Sequence, residues 1–227
     1  MQTCIQTHIQ TKGPSHWYEQ SPNCNGSRQS PIEITTSTLN TSLTPFVFNK
    51  YDVIPSKIVV TNNGHTVTVS LPNDVLTIRD GGLDSQYTFA QFHFHWGSND
   101  SYGSEHLDHN KAYSAELHFV HWNSGKYSSV AESYNYADGL AVLGVLIDVH
   151  DPRINQDLDI LTESFHSIEY LNNWTSVAPF KLINLFPPER DYYRYYGSLT
   201  TPGCNEIVVW TLFKNPIYLS SVQVFIF

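Results

Sequence analysis

Alternation of polar and large apolar side chains is the feature of this sequence that most restricts its fold. Residues 88–96, which end in QFHFHW, place Gln91, His93 and His95 on one side of an extended chain and three aromatic side chains on the other. The pattern predicts a strand that buries its aromatic side. The opposite side carries a polar row that needs a function.

Further stretches repeat the strand pattern. Residues 113–122 and 206–213 also alternate, and 58–71, IVVTNNGHTVTVSL, contains two alternating runs joined at Asn-Gly, a strong hairpin signal. Residues 140–149, LAVLGVLIDV, are almost continuously apolar, which is typical of a strand buried on both faces. The chain is therefore rich in strands.

Helical periodicity is weaker. A helix is predicted at about 154–168, where apolar side chains recur at helical spacing, and a shorter one at 128–136. The 227 residues, 41% of them hydrophobic, suffice for one large core. We expect a mainly β (α+β) fold: a single domain with a large twisted, mostly antiparallel central sheet and short surface helices. The apolar positions of the longer helix are Ile154, Leu158, Leu161, Phe165 and Ile168.

Charge and apolar runs exclude some classes of function. The net charge is −9 and no basic run is present, which argues against nucleic acid as a partner. No segment approaches the length of a transmembrane segment. The N-terminus, MQTCIQTHIQTK, lacks the apolar core of a signal peptide.

Potential glycosylation sites favour an oxidising compartment as the location of the protein. Four sequons begin at Asn25, Asn40, Asn99 and Asn173, and each matches the acceptor pattern Asn-x-Ser/Thr. The three cysteines are too few for a dense disulfide framework. Single sequons arise often by chance, but four together favour an oxidising compartment.

The polar row beside the aromatic strand is suited to a metal. Residues 113–122 place Glu116 and His118 on one face, so pairing with 88–96 would bring His118 to His93 and His95. Three imidazoles suit Zn²⁺ and leave a fourth position open for water. Gln91 and Glu116 would then accept the second ring N–H of a ligand histidine and orient it.

The alternative interpretation is a set of packed, hydrogen-bonded core histidines. For an isolated His-x-His pair that interpretation is the commoner one. A third histidine preceded by a carboxylate on the same polar face favours the metal site instead.

Specific motifs along the chain resemble those of a known family. In order they are RQSPI, NNGH, QFHFHWG, GSEH, AELHFVHWN, DGLAVLG and GSLTTPGC, and together they resemble the α-class carbonic anhydrases of the secreted or membrane-anchored type. The resemblance runs from Gly13 to about Gln223. It implies an atypical N-terminal lead at 1–12 and a carbonic anhydrase domain at 13–227 that lacks the family's C-terminal segment, where an N-x-R-P type motif is expected.

The resemblance implies an enzyme and its metal. His93, His95 and His118 would bind zinc, and zinc-bound hydroxide would attack CO₂ to give bicarbonate and a proton, the reaction of a carbonate dehydratase. Thr200 would accept a hydrogen bond from that hydroxide and donate its own proton to Glu105.

The resemblance also implies a proton path, a substrate pocket and inhibitors. His65, in NNGH, matches the family's proton shuttle. Sulfonamides and anions would act as inhibitors at the metal. The residues that match the family's substrate pocket are Val120, Val142, Leu199, Thr201, Val208 and Trp210.

Cys24 and Cys204 match the positions of a disulfide in the secreted and membrane-anchored members, against the alternative of two free thiols. The resemblance therefore implies an extracellular or secretory-pathway location, with membrane anchoring of a full-length form left open. The missing C-terminal segment normally supplies the carbonyl that orients the second zinc histidine, here His95. We therefore expect His95 to lack that partner.

Two other functions remain open at this point. A carbonic-anhydrase-like binding or structural protein with impaired catalysis would share the motifs, but such relatives usually lose a zinc histidine. A non-haem iron oxygenase would need a carboxylate ligand, and Glu116 is placed to orient a histidine instead.

Overall fold

The computed structural model describes residues 13–152 and 155–225. Strands dominate this part of the chain, as the alternating runs predict. Short helices connect them or lie beside the sheet. The strands are β1 Glu33–Ile34, β2 Phe46–Asn49, β3 Ile58–Asn62, β4 Val67–Ser70, β5 Thr77–Asp80, β6 Tyr87–Trp96, β7 Leu107–Asp108, β8 Ala115–Trp122, β9 Leu140–Val149, β10 Trp174–Val177, β11 Tyr192–Gly197, β12 Val208–Phe213 and β13 Ile217–Leu219. The α-helices are α1 Val130–Ser133, α2 Gln156–Ser164 and α3 Ser221–Phe225, and 3₁₀ helices cover Pro14–Glu19, Pro22–Asn25, Phe165–Ile168 and Leu182–Leu185.

Eleven strands form one sheet, and its main path runs β10-β3-β4-β6-β8-β9-β12-β11. β6 and β8 pair antiparallel, as predicted, with His93 opposite His118. β3 and β4 form the predicted hairpin around the Asn-Gly turn. The predicted mainly β fold with one large central sheet is thereby confirmed, and β1 and β7 form a separate two-stranded parallel sheet.

Parallel pairing occurs on one side of β9, where β12 and β13 both run alongside it in the same direction. The alternating pattern of 206–213 predicted a strand there but not its direction. A long connection separates β9 from β12, so parallel pairing is sterically possible. This arrangement brings Trp210 of β12 close to His118 of β8.

The predicted long helix is shorter than expected. α2 begins after Asn155, whose side-chain oxygen accepts the N–H of Leu158, and the following turn, Phe165–Ile168, is a 3₁₀ helix. The predicted position Ile154 lies outside the described residues. The predicted short helix at 128–136 is a single α-helical turn, α1.

The aromatic side of β6 forms the main core. Phe92 and Phe94 are buried with Phe119 of β8, and the rings of Phe92 and Phe119 lie 4.8 Å apart. Leu158 and Leu161 of α2 belong to the same core. Because this side of the sheet is filled, the polar row of β6 and β8 faces the other way. Among the described residues, no helix has the length and apolarity needed to cross a bilayer.

Candidate active site

Three histidines converge on the polar side of β6 and β8. Their register places His93 directly opposite His118, and His95 follows on the same face of β6. The ring of His118 lies 5.3 Å from that of His93 and 4.4 Å from that of His95. One nitrogen from each ring can be chosen so that all three lie within 4.8 Å of one another, a spacing that allows them to share one ion.

Gln91 orients the first of these rings. Nδ1 of His93 lies 3.0 Å from Gln91 Oε1, so the amide oxygen accepts this N–H and leaves Nε2 for a ligand. Burial lowers the pKa of His93 well below its usual range, and the charges of His95 and His118 lower it further. A neutral ring is the form that binds metals.

Glu116 orients the third ring. Its Oε1 accepts from Nε2 of His118 at 2.7 Å, which leaves Nδ1 of His118 free to face the other histidines. Burial alone would raise the pKa of Glu116, but the neighbouring His106 and His118 and their hydrogen bonds outweigh it and hold the pKa well below its usual range. Gly144 lies opposite His118, and a Cβ there would come within 3.2 Å of Glu116 Oε1.

His95 has a different neighbour. Its Nδ1 lies 3.2 Å from Glu105 Oε1, so a carboxylate, not a backbone carbonyl, is the group beside this ring. Its Nε2 is buried and has no hydrogen-bond partner within the described part of the chain. Burial lowers the pKa of His95 to about 4. A neutral imidazole beside two others fits a divalent metal such as zinc. The unpartnered Nε2 agrees with the expectation that this ring lacks the partner that orients it in the family.

Glu105 connects the histidines to the loop that carries Thr200. Burial raises the pKa of Glu105 to about 6, against the opposing effects of His118 and of a hydrogen bond with the Thr200 side chain. The loop is tied at its base, because Leu199 N–H donates to Asn205 O at 3.0 Å. Thr200 thus lies close enough to Glu105 to influence its pKa. Glu105 Oε2 is buried with no hydrogen-bond partner in the described part of the chain, and the roles expected of Thr200 and Glu105 stay predictions.

A disulfide braces this loop. Cys24 and Cys204 are bonded, with Cα atoms 4.9 Å apart, and they join positions separated by 180 residues. Gln29 Nε2 donates to Cys204 O at 3.3 Å beside the bond. The predicted pairing is confirmed, and it fastens the N-terminal segment to the loop that carries Thr200.

An apolar wall adjoins the histidines. The parallel register of β12 and β9 sets Trp210 beside Val142, and Val142 lies opposite Val120 of β8. The ring of Trp210 packs 4.8 Å from that of His118. Thr201, the remaining residue predicted for the pocket, is exposed. The apolar wall contains five residues that were predicted for the pocket: Val120, Val142, Leu199, Val208 and Trp210. It also contains four that the sequence did not indicate for the site: Leu140, Trp122, Tyr195 and Ile207.

A buried polar chain behind His118 was also not predicted from the sequence. His106 Nδ1 lies 2.6 Å from Glu116 Oε1, and its Nε2 lies 2.6 Å from the Tyr195 hydroxyl. That hydroxyl lies 2.9 Å from Ser30 Oγ, which also accepts the Ser198 N–H. The members are scattered along the chain, so no local spacing indicates them.

His65 lies on the turn between β3 and β4 and is exposed. Asn63 Oδ1 accepts the N–H groups of His65 and Thr66 at 2.9 and 2.8 Å, which shapes this turn. The Thr66 hydroxyl donates to Phe94 O of β6 at 2.5 Å. His65 therefore stands on a braced turn beside the strand that carries two of the histidines.

Comparisons with known proteins agree with this geometry. The sequence profile of the eukaryotic-type carbonic anhydrases matches residues 12–227. Carbonic anhydrase 12 of Homo sapiens is 39% identical over 222 residues, which cover 96% of this chain and 61% of that protein. Carbonic anhydrase 3 of Bos taurus is 42% identical over 219 residues, covering 93% of this chain and 81% of that protein.

Carbonic anhydrase 7 of Homo sapiens is 39% identical over 220 residues, covering 94% of this chain and 81% of that protein. The chain thus spans less than two thirds of the length of carbonic anhydrase 12 and about four fifths of the other two relatives. The profile and the relatives lead to one conclusion: the chain belongs to the family of eukaryotic-type carbonic anhydrases.

Proposed function

We propose that this chain catalyses the reversible hydration of CO₂ to bicarbonate and a proton, with one zinc ion held by His93, His95 and His118. The observation that carries the proposal is the convergence of three neutral imidazoles beside an apolar wall, two of them oriented by Gln91 and Glu116. An impaired, purely binding relative is not supported, because no member of the histidine group is missing. An iron oxygenase is disfavoured, because the Glu116 carboxylate is occupied by histidine N–H groups.

The histidines hold the metal and their neighbours fix the rings. His93 is oriented by Gln91, and His118 by Glu116. Zinc in such a three-histidine site supplies a bound water whose pKa is near 7. That value is the one established for carbonic anhydrases as a family, and we carry it over to this chain through its family membership.

Thr200 and Glu105 would orient the nucleophile. The partly buried Glu105 carboxylate, whose pKa responds to the Thr200 side chain, would accept the Thr200 hydroxyl proton. That would leave an Oγ1 lone pair as the hydrogen-bonding capacity that Thr200 can offer the nucleophile. A nucleophile that still carries one proton can donate to that lone pair and point its own lone pair at carbon. This arrangement is a preorganised hydrogen bond, whose loss typically costs about 10²- to 10³-fold in rate.

The apolar wall would receive CO₂ and His65 would carry the proton away. CO₂ has no charge and no donor, so a surface built from Val120, Val142 and Trp210 suits it. An exposed imidazole can exchange a proton with buffer. His65 is exposed and lies on the turn that leads into β4. β4 pairs with β6, where its Thr68 lies opposite His93.

The Cys24–Cys204 disulfide supports a location outside the cytosol. Such bonds persist in the secretory pathway and outside the cell and are rare in reducing compartments. We propose an extracellular or secretory-pathway location on that ground.

The decisive experiment combines metal analysis with stopped-flow CO₂ hydration. Purified protein should contain one zinc per chain and hydrate CO₂. The His118→Ala variant should lose both properties, while His166→Ala, which removes an exposed histidine, should retain both. Iron in place of zinc, or hydration that survives removal of zinc, would contradict the proposal.

Inhibitor binding tests the pocket separately. An unsubstituted aromatic sulfonamide should bind to the zinc-loaded protein, with its ring along Val120, Val142 and Leu199, and should compete with small anions. The zinc-free protein should not bind it. Equal binding to both forms would contradict the site.

A further inference from the structure

The end of the sheet at β10 carries an exposed apolar group. β10 ends the strand order and pairs with β3, and its other edge pairs with no strand in the described ranges. Tyr170, Leu171 and Trp174 lie at the start of this strand and are 73%, 59% and 61% exposed. We call these three residues the edge patch. A free strand edge beside large apolar side chains is a site of association unless something covers it.

A glycosylation sequon lies inside the edge patch. Asn173, Trp174 and Thr175 match Asn-x-Thr, and the side chain of Asn173 is exposed. From the geometry of this sequon we propose that Asn173 carries an N-linked glycan whose function is to cover the edge patch and the free edge of β10. The proposal rests on the secretory location proposed above, since N-glycans are added there.

The backbone holds the acceptor asparagine in place. Asn173 N–H donates to Tyr170 O at 3.0 Å, and Asn173 O accepts the N–H of Asn62 in β3 at 3.0 Å. Asn172 adopts a left-handed conformation, with φ of 65°, and its N–H donates to Asn62 O at 2.8 Å. Both backbone polar groups of Asn173 are therefore satisfied on the protein side.

The same turn adjoins the proposed active site. Leu171 packs against the turn of His65, since a Cβ on Gly64 would lie 2.6 Å from Leu171 Cδ1. Lys57 Nζ lies 5.6 Å from the Trp174 ring and borders the patch. A glycan here would shield the rim near His65 while leaving a small substrate such as CO₂ free to enter.

The modification is a group transfer from a lipid-linked oligosaccharide. Nδ2 of Asn173 forms a bond to the anomeric carbon of the first N-acetylglucosamine, and the bond from that carbon to the lipid diphosphate breaks. The diphosphate leaves with the electron pair, and the amide loses one proton to solvent. No oxidant or reductant is involved.

The test uses the full chain secreted from eukaryotic cells behind a cleavable signal sequence. Thr175→Ser keeps the sequon, whereas Thr175→Val removes it and preserves the branched shape and the strand. Peptide mass spectrometry before and after enzymatic release, which converts the linked asparagine to aspartate, should find the glycan on Asn173 in the wild type and in Thr175→Ser. It should find none in Thr175→Val.

The covering function is tested by sedimentation velocity. The wild type and Thr175→Ser should sediment as non-associating species, whereas Thr175→Val and enzymatically deglycosylated wild type should associate with rising concentration. CO₂ hydration per zinc-loaded chain should be equal in all of them, which separates this inference from the proposed catalysis. An unmodified Asn173 in secreted wild type would overturn the site. If Asn173 is glycosylated but removal of the glycan leaves association unchanged, the covering role is overturned. If the wild type is unmodified and dimerises, the edge patch is instead assigned to a second copy of the chain.

Discussion

Oε1 of the Glu116 carboxylate lies 2.7 Å from Nε2 of His118 and 2.6 Å from Nδ1 of His106. One buried oxygen thus accepts from a proposed metal ligand and from the histidine behind it. Because the other oxygen accepts the backbone N–H groups of Glu105 and His106 at 2.9 Å, the carboxylate is fully satisfied. Its position fixes which nitrogen of His118 can face a metal.

Replacing Glu116 should therefore weaken zinc binding. Glu116→Gln removes the charge and one acceptor oxygen, and we expect zinc affinity to fall about 10- to 100-fold, the usual cost of losing a partner of a ligand histidine. Competition with a chromophoric chelator measures the change. Glu132→Gln, at a partly exposed carboxylate on α1, is the control and should leave affinity unchanged. Equal affinities in both variants would refute the orienting role.

Removal of the Thr200 hydroxyl should slow the chemical step. For Thr200→Ala we expect CO₂ hydration to fall on the order of 10²-fold, because the preorganised hydrogen bond is lost. Thr200→Ser keeps the hydroxyl and should retain most of the rate. Stopped-flow hydration at saturating buffer reports the step. A Thr200→Ser variant as slow as Thr200→Ala would show that the methyl group, not the hydroxyl, matters.

Removal of His65 should slow proton transfer alone. His65→Ala should reduce turnover in weak buffer and recover when small imidazole buffers are added, because a diffusing base replaces the missing one. Thr200→Ala should gain nothing from the same buffers. Turnover measured across a series of imidazole concentrations distinguishes the two variants. If both variants responded alike, the division of roles would be wrong.

Loss of the disulfide should destabilise the protein and loosen the loop that carries Thr200. For the Cys24→Ser, Cys204→Ser double variant we expect the free energy of unfolding to fall by roughly 2–5 kcal/mol. Denaturant unfolding measures stability, and hydrogen exchange of the 199–206 amides measures the loop. Cys4→Ser is the matched control and should change neither. Equal stability with and without the bond would contradict the bracing role.

The free energy of unfolding should fall in mild acid because of His121, a buried histidine that is not one of the proposed metal ligands. Burial lowers the pKa of His121 from 6.5 to about 4, and the neutral ring contacts the Tyr51 hydroxyl. Below about pH 6.5, His121 gains a proton when the protein unfolds. Its contribution to the free energy of unfolding is therefore fully present above that pH and is lost as the pH falls towards 4. The loss from this group is about 3 kcal/mol when complete.

The measurement compares zinc-free wild type with zinc-free His121→Gln by denaturant unfolding between about pH 7.5 and about pH 4.5, a range that spans the ordinary pKa of histidine. Removal of zinc makes titration of the metal ligands common to both proteins. The variant is expected to be less stable at neutral pH but to lose less stability in acid. Parallel pH profiles would show that His121 does not contribute.

Much of the site follows from local sequence patterns. The two-residue period of a strand places His93 and His95 on one face whatever the rest of the chain does, and the same period pairs Glu116 with His118. The Asn-Gly turn predicted the β3–β4 hairpin because only a few turn types join such strands. The resemblance to the α-class carbonic anhydrases supplied the roles of Thr200 and Glu105, which no local pattern indicates.

Other features depend on contacts between distant parts of the chain. Tyr195 and Ser30 lie 165 residues apart, and their contact behind His106 follows from where β11 lies in the sheet. The free edge of β10 and its exposed Trp174 likewise follow from strand order.

The sequence by itself determined which side chains share a face, because that depends only on the alternation along one strand. Only the tertiary structure decided which faces meet. The parallel alignment of β12 with β9 places Trp210 against His118. Strand order and direction are set by the packing of the whole sheet, because a single strand is compatible with either direction and with several neighbours.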